Sequence, residues 1–526
     1  MNYSVVDILD LPDEILLIIF AKLKSGDAFY SLFGVNERLD KIVCDTIYTQ
    51  SIDLATTSSN SETDSLSDLK LNRFCLEILP RIHHNVKCLT LESPSMECIF
   101  RASDYPNLHK LNLAKLELKD ALYYFNDDLP FAHIFKKQIS HLIVTVTDDA
   151  QTTSLEDLAT DVYGRIFTFF TSVTHLEFGI YYTPRHPTLF LQDLPSNICF
   201  SSKITHLCVK VLHFNDCLRL LDGRLYQMNT FVVTVDWFSC IPSDAIRLRG
   251  LHNLKCFSLM SRVTTTTYDD QIVPLLRQMS QLEKLTLSLK VGNRRTYVEG
   301  THLNNEILSQ MSYLRTFIFD IVTHIVDSNE VLKSSDDIRR TFVQHVDCYI
   351  DYFPNKEGRC HVYSLPFTMK YMHAVTNNFP GGIFRNVRTL SIVDDIRSFE
   401  YDFFQRISHS FPLLNQLTVF NSIQQNEKRT QESYDDKKRF LIVEFTHLSK
   451  LNLSYAHFNY IEQFLLNTNA YLPSLDELEI QYEHLLTVTE NFTSDATRFV
   501  CAKLKRLNIS EIIVHSKDFY LYFPLL

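Results

Sequence analysis

The 526-residue sequence contains little glycine: 11 residues, or about 2% of the chain, against roughly 7% in typical proteins. So little glycine leaves few positions for glycine-rich phosphate loops or tight hairpins. The patterns G-x-x-x-x-G-K, G-x-G-x-x-G, H-E-x-x-H and G-x-S-x-G do not occur in it. These absences argue against a nucleotide-dependent or hydrolytic enzyme, so we predict neither catalytic residues nor a cofactor or metal.

Basic charge and long apolar runs are also scarce. Lys and Arg number 51 against 62 Asp and Glu, so the formal net charge is −11, whereas nucleic-acid binders normally have a basic face. No run approaches the roughly 20 apolar residues of a membrane span, and the N-terminal stretch lacks the basic and apolar regions of a signal peptide. The twelve cysteines form no C-x-x-C pair and most lie in apolar runs, as reduced core thiols do. We expect a cytoplasmic or nuclear protein with no nucleic-acid or membrane partner.

Residues 8–48 have the pattern of short amphipathic helices. Pro12 suits a first helical turn, and the acids at 13 and 14 favour the positive end of the helix dipole. Apolar residues then recur at three- and four-residue spacing up to Leu23, while Asp27 and Asn36 suit the N-caps of two further helices. About forty residues cannot bury this much apolar surface alone, so the segment packs onto the rest of the chain or keeps a face for a partner.

The run Leu11-Pro12-Asp13-Glu14-Ile15-Leu16-x-x-Ile19-Phe20 resembles the F-box, although Leu39 stands where that family usually has an aromatic residue. The resemblance implies a three-helix module that binds the small adaptor of an SCF-type cullin–RING ubiquitin ligase, and through the adaptor a cullin. By motif position the adaptor-binding residues would be Leu11, Pro12, Ile15, Leu16, Ile19, Phe20, Leu23, Val35 and Arg38.

Beyond this module, residues 55–68 hold eight Ser or Thr and three acids, which predicts a disordered polar loop or linker. A strand-like unit, x-Leu-x-apolar, then recurs at intervals of 22 to 34 residues, with one gap of 73. The instances begin at Cys88, Lys110, His141, His175, His206, Thr230, Cys256, Lys284, Thr316, Thr389, Gln416, Lys450, Glu477 and Arg506. These intervals fit one strand and one crossover helix per repeat.

The repeats at 108–118 and 448–458 are similar to leucine-rich repeats, although Leu116 and Ala456 replace the Asn or Cys of that family. We therefore predict an α/β fold in which the F-box at 8–48 is followed over 49–526 by an irregular leucine-rich-repeat-like solenoid with a parallel sheet on one face. An all-helical solenoid is the competing interpretation. The 73-residue gap holds two strand-like runs, 346–353 and 359–367, which predict a hairpin excursion near 346–367.

Neighbouring side chains of a strand face opposite sides, so the leucines point into the core and the residues between them line an exposed face. Candidate target-binding residues on that face are Lys110, His141, His175, His206, Lys284, Lys450, Glu477 and Arg506. Three consecutive repeats place His at one offset, and in-register pairing would stack the imidazoles about 4.8 Å apart. A metal site or pH switch is then conceivable. The simpler interpretation is a repeat consensus, because Thr-His-Leu recurs at 446–448.

The two resemblances together indicate the substrate-recognition subunit of an SCF-type ubiquitin ligase. The F-box would dock the adaptor and the solenoid would bind a target protein, which raises the local concentration of target lysines without any chemistry by this chain. The alternative is a leucine-rich-repeat-like interaction scaffold outside a ubiquitin ligase, with the N-terminal face packed internally. An unrecognised enzyme would need a deep pocket with converging ionisable groups.

Overall fold

A computed structural model describes residues 8–20, 23, 25–55, 68–147, 155–179, 203–238, 248, 251–326, 333–354, 356–426, 442–466, 468–509 and 517–526. The polar segment predicted at 55–68 lies almost entirely outside them. The described chain is mixed α/β, and its largest sheet has twelve strands and is mainly parallel. The chain folds into two compact units. The first comprises Met1–Val263, Thr267–Leu285 and Gln310–Thr316, and the second comprises Thr264–Thr266, Thr286–Ser309 and Phe317–Leu526.

The N-terminal region of the first unit is helical. A 3-10 turn at Ile8–Asp10 precedes α1 (Asp13–Phe20), α2 (Ser25–Leu32), α3 (Glu37–Val43) and α4 (Thr46–Thr49). Asn36 caps α3 as predicted, because its Oδ1 accepts a hydrogen bond from the Leu39 amide at 2.8 Å. The prediction for Asp27 is wrong: α2 begins two residues earlier, so Asp27 lies inside the helix.

Eight strands of the first unit pair in sequence order and in parallel wherever their register is described. They are β1 (Ser51–Asp53), β2 (Cys88–Glu92), β3 (Lys110–Glu117), β4 (His141–Thr147), β5 (His175–Phe178), β6 (His206–His213), β7 (Thr230–Trp237) and β8 (Cys256–Thr265). The second residue of one strand pairs with the second residue of the next, as in Leu142 with Leu176 and Leu176 with Leu207. These residues are at most 3% exposed, so the predicted inner row is the core face of the sheet.

Helical segments connect these strands, as parallel pairing requires. They are α5 (Asp68–Arg73), α6 (Leu79–Ile82), α7 (Ser93–Ala102), α8 (Leu118–Tyr124), α9 (Ala132–Lys137), α10 (Leu155–Phe169), α11 (Phe214–Leu220) and α12 (Val273–Arg277), with π-helical turns at Phe74–Ile78 and Tyr268–Ile272 and 3-10 turns at His83–Asn85 and Leu251–Asn253.

The second unit contains most of β9 and the remaining strands. They are β9 (Lys284–Arg294), β10 (Thr316–Ile325), β11 (Val346–Phe353), β12 (Glu357–Ser364), β13 (Tyr371–Val375), β14 (Thr389–Val393), β15 (Gln416–Asn421), β16 (Val443–Glu444), β17 (Lys450–Ala456), β18 (Ala470–Tyr471), β19 (Glu477–Glu479) and β20 (Arg506–Asn508). Strands β13, β14, β15, β17, β19 and β20 form a parallel sheet in that order. Strands β11 and β12 form an antiparallel hairpin, and β12 also pairs antiparallel with β10.

The structure describes seven helices in the second unit, and the last five contribute buried side chains to the core beneath its parallel sheet. They are α13 (Gly300–Glu306), α14 (Ser335–Arg339), α15 (Tyr401–Ser410), α16 (Phe458–Leu465), α17 (Tyr482–Val488), α18 (Asp495–Cys501) and α19 (Lys517–Tyr522), with a 3-10 turn at Leu308–Gln310. Buried side chains of the strands and helices form one cluster, in which Leu390, Leu417, Leu451 and Leu478 occupy equivalent strand positions.

All fourteen predicted strand units begin strands at the predicted residue, so the all-helical alternative is wrong. The two runs predicted in the 73-residue gap are β11 and β12, with the second strand ending at Ser364. The parallel strand in this gap, β13, has no leucine at its second position, and the repeat pattern did not identify it.

Candidate functional site

The N-terminal helices have a small apolar core of their own. Leu16, Phe20, Leu39 and Ile42 are at most 5% exposed and form one cluster. Partly buried side chains from the same helices, such as Tyr48, pack against it, and the Tyr48 hydroxyl donates to the Leu17 carbonyl at 2.5 Å. Two of the predicted adaptor-binding residues, Leu16 and Phe20, therefore lie in the core of the module in this chain.

The opposite side of α1 presents apolar side chains to solvent. We define the apolar face as the exposed side chains of Ile15, Ile18, Ile19 and Leu23, which are 38% to 60% exposed. Positions 15, 18 and 19 share one side of a helix by their three- and four-residue spacing. Val35, at 61% exposed, and Ile8 and Leu9 in the preceding turn are further exposed apolar residues of the module. Ile8, Leu9 and Ile18 were not predicted as site residues, because only residues of the family motif were carried over.

Arg38 anchors the segment that leads into α1. Its Nη1 and Nη2 donate to the carbonyls of Leu9 and Leu11 at 2.5 and 2.6 Å, and its Nε donates to Asp13 Oδ1 at 2.7 Å. Leu11 is half-buried behind this contact, whereas Pro12 is exposed and its carbonyl accepts the first helical hydrogen bonds. Arg38, which the motif assigned to adaptor binding, thus also positions the start of α1.

Three imidazoles stack on the outer side of the sheet in the first unit. His141, His175 and His206, which we call the histidine row, begin consecutive strands and pair in register. Their ring centroids are 4.1 and 4.0 Å apart, with interplanar angles of 11° and 15°. Lys110 extends the row on β3, because it pairs with His141. The predicted in-register stack is therefore present.

A hydroxyl group lies within hydrogen-bond distance of one nitrogen of each ring. Ser140, Thr174 and Thr205, which directly precede the three histidines, each place Oγ 2.9 Å from the following Nδ1. Burial lowers the pKa of His141 and of His175 below the usual 6.5, and the neighbouring histidines and, for His141, Lys110 lower it further. Both rings are consequently neutral at neutral pH.

The geometry does not suit a metal ion. Stacked parallel rings direct their nitrogen lone pairs side by side, whereas a tetrahedral zinc needs ligand nitrogens converging at 2.0–2.1 Å. In the part of the chain that the structure describes, no group of three His, Cys, Asp or Glu side chains is arranged to hold a metal ion.

A second row of strand-initial residues lies in the second unit. Lys450, Glu477 and Arg506, which we call the charged row, pair in register on β17, β19 and β20. The Glu477 carboxylate binds Lys450 Nζ at 2.9 Å and Arg506 Nη2 at 2.5 Å. Glu477 therefore forms ion pairs with both of the other predicted target-binding residues of this row, and the three side chains keep one formal positive charge. Lys284 begins β9 and is exposed, and the structure does not bring it into either row.

An exposed aromatic pair on the second unit was not predicted from the sequence. Phe420 and Tyr455 pair across β15 and β17 and stack with ring centroids 5.1 Å apart. A register shift between Thr418 and Phe420 reverses the alternation in β17. Ser454, which strict alternation placed on the outer face, is 8% exposed, and Tyr455 is 62% exposed instead. The aromatic pair depends on the irregular register of β17. A sequence pattern that assumes strict alternation of side chains therefore cannot predict it.

A buried polar cluster connects the β11–β12 hairpin to β10. His361 Nε2 lies 2.5 Å from Asp320 Oδ1, and its Nδ1 lies 2.6 Å from the Tyr349 hydroxyl. The side chains of His361 and Asp320 are 1% and 2% exposed, so the cluster ties β12 to β10 and β11 within the core. In the sequence, Cys360-His361 stands as an isolated doublet, and nothing in its spacing indicates these partners.

Within the described ranges, no helix combines the length and apolar character needed to cross a membrane. The ten cysteines in those ranges are unpaired thiols. A comparison with models of protein families found no match, and a search of curated proteins found no similar chain.

Proposed function

We propose that the protein is the substrate-recognition subunit of an SCF-type cullin–RING ubiquitin ligase. Residues 8–48 are proposed to be an F-box that docks the ligase adaptor, and the repeats over 49–526 a leucine-rich-repeat-like solenoid that binds a target protein. The observation that carries the proposal is the division of α1 into two sides. Leu16 and Phe20 satisfy the module's own core, while Ile15, Ile18, Ile19 and Leu23 remain exposed beside the L-P-x-E motif.

This division favours docking over the scaffold alternative with an internally packed face. Ile15 is 42% exposed, and the cluster that buries Phe20 consists of residues within 11–48 alone. Burial of an apolar face on a partner stabilises a complex by about 25 cal/mol per Å² removed from water. Contiguous exposed aliphatic side chains are typical of such binding surfaces.

The test is co-precipitation of the full-length chain with the SCF adaptor. Ile15→Ala/Ile19→Ala removes exposed methyl groups and leaves the core untouched, so the fold should remain. Truncating two central interface side chains costs about 2 kcal/mol or more, which corresponds to a roughly thirtyfold weaker complex. Leu69→Ala/Leu76→Ala is the matched control, because these leucines are 83% and 77% exposed outside the apolar face.

Undiminished adaptor binding by Ile15→Ala/Ile19→Ala would refute the docking assignment. A chain that captures target proteins but never the adaptor, even with intact residues 8–48, would instead support the scaffold function.

A further inference from the structure

The histidine row does not belong to a repeat consensus. The Thr-His-Leu triplet at 446–448 places His447 three residues before β17, where it is exposed and outside the strand. His141, His175 and His206 instead begin their strands and stack. The resemblance in sequence between the four histidines is therefore not a resemblance in position, and the stacked row needs an explanation of its own.

The residue before each histidine engages one nitrogen of the ring. The carbonyl of Ser140 accepts two amide hydrogen bonds, from Thr174 at 2.9 Å and His175 at 3.0 Å, and the carbonyls of His109 and Thr174 are occupied in the same way. Each carbonyl oxygen has two lone pairs. The hydroxyls of Ser140, Thr174 and Thr205 donate to these same carbonyls at 3.2 or 3.3 Å and lie 2.9 Å from the Nδ1 of the following histidine.

Nδ1 of each ring is therefore engaged by a hydroxyl, and Nε2 is the ring nitrogen left for a ligand. In the described part of the chain, no protein group is hydrogen-bonded to these three Nε2 atoms. The half-exposed outer face of the sheet consequently presents three parallel Nε2 edges at a spacing of about 4 Å, and each becomes an N–H donor when its ring is protonated. Donors without acceptors on a protein surface are suited to a ligand that brings oxygen acceptors.

The charges around the row favour an anionic ligand. Lys110 pairs with His141 at one end of the row, and no carboxylate in the described residues pairs with it. Thr230 pairs with His206 at the other end, so the row itself contains no acid. An opposing charge is Glu177, two residues along β5 and opposite Cys208. His109 is a further ionisable neighbour, and its ring lies 6.2 Å from that of His141.

We propose that the histidine row binds an acidic segment of the target protein through carboxylate or phosphate oxygens, and that binding tightens as pH falls. The oxygens of the ligand accept hydrogen bonds from Nε2–H of the protonated rings. Lys110 supplies a positive charge that does not depend on protonation of the histidines. A bound anion favours imidazolium over imidazole, so binding is linked to proton uptake. This inference specifies the partner of the target-binding face in the proposed function, but its test does not involve the ligase adaptor.

The experiment measures fluorescence anisotropy of labelled, end-capped peptides with the full-length chain at about pH 6 and about pH 7.5. The peptides carry glutamate, phosphoserine or glutamine at the same positions. We expect the acidic peptides to bind and the glutamine peptide not to bind. One linked proton changes Kd by up to about tenfold per pH unit, and the glutamate peptide reports it because its own carboxylates stay ionised. The acidic peptide that binds more tightly shows whether the row prefers carboxylate or phosphate oxygens.

His175→Gln interrupts the row at its centre and should weaken binding and remove most of its pH dependence. His447→Gln, the matched control, should bind as the parent does. Lys110→Gln should weaken binding at both pH values and keep the pH dependence, and it serves if His175→Gln fails to fold. Equal binding of the glutamine peptide, no binding of either acidic peptide at the lower pH, or unchanged binding by folded His175→Gln would overturn the proposal. Adaptor co-precipitation is independent of all these outcomes.

Discussion

The histidine row and the charged row occupy the same position in two units and have opposite chemistry. In both, residues that begin consecutive parallel strands are brought side by side by in-register pairing. In the histidine row the side chains are alike and their rings stack. In the charged row Glu477 bridges two cations. The backbone therefore fixes only proximity, and side-chain type decides whether a row is satisfied internally or keeps groups for a ligand.

The largest effect should come from the inner rows that lie beneath both outer rows. Leu176→Ala in the first unit and Leu478→Ala in the second should each destabilise the protein by about 2–5 kcal/mol, because each removes a fully packed side chain. Leu176 is 3% exposed and Leu478 is 0% exposed. Chemical denaturation measures both. A loss below about 1 kcal/mol in one unit would show that its sheet is not held by this row.

Breaking the charged row should have a smaller effect. Glu477→Gln leaves Lys450 and Arg506 beside each other without their shared carboxylate, and we expect a loss of about 1 kcal/mol. Added salt screens the remaining repulsion and should reduce the difference from the parent. Denaturation at low and high ionic strength checks this. His175→Gln, measured alongside, should show no comparable salt dependence.

The histidine row should make stability depend on pH in a way that the charged row does not. The folded state lowers the pKa of His141 and His175 below 6.5, so the unfolded chain binds more protons in acid. Their contribution is therefore complete above pH 6.5 and is lost progressively as pH falls below it. Thermal unfolding between about pH 5 and pH 7.5 should show a shallower slope for His141→Gln/His175→Gln than for the parent. An unchanged slope would show that these two histidines do not cause the pH dependence of stability.

The regular part of the fold was predictable because one repeat pattern determines it. A leucine or phenylalanine at the second position of each unit, with crossover-length spacing, was enough to locate strands β2 to β10 and the leucine-bearing strands of the second unit. β13 was missed because Met372 replaces the leucine. Its pairing register also shifts between Met372 and Val375, where Ala374 has a φ of +56°. Tyr455 was missed because a register shift reverses the alternation locally.

The candidate sites were less predictable, because sequence motifs do not distinguish inward from outward residues of a small module. The motif grouped Leu16 and Phe20 with Ile15 and Ile19, whereas packing against α3 separates them. The stacking of the histidine row was predictable from equal strand offsets. The role of the preceding hydroxyls was not, since it depends on the local geometry that places each Oγ 2.9 Å from the following Nδ1.

The central proposal concerns the apolar face of α1, and the most direct measurement is a calorimetric titration of purified SCF adaptor into the full-length chain. The account predicts a saturable complex with the parent and, for Ile15→Ala/Ile18→Ala/Ile19→Ala, binding weakened by roughly thirtyfold or more at unchanged thermal stability. No complex with the parent, or equal affinity for the triple variant, would contradict it.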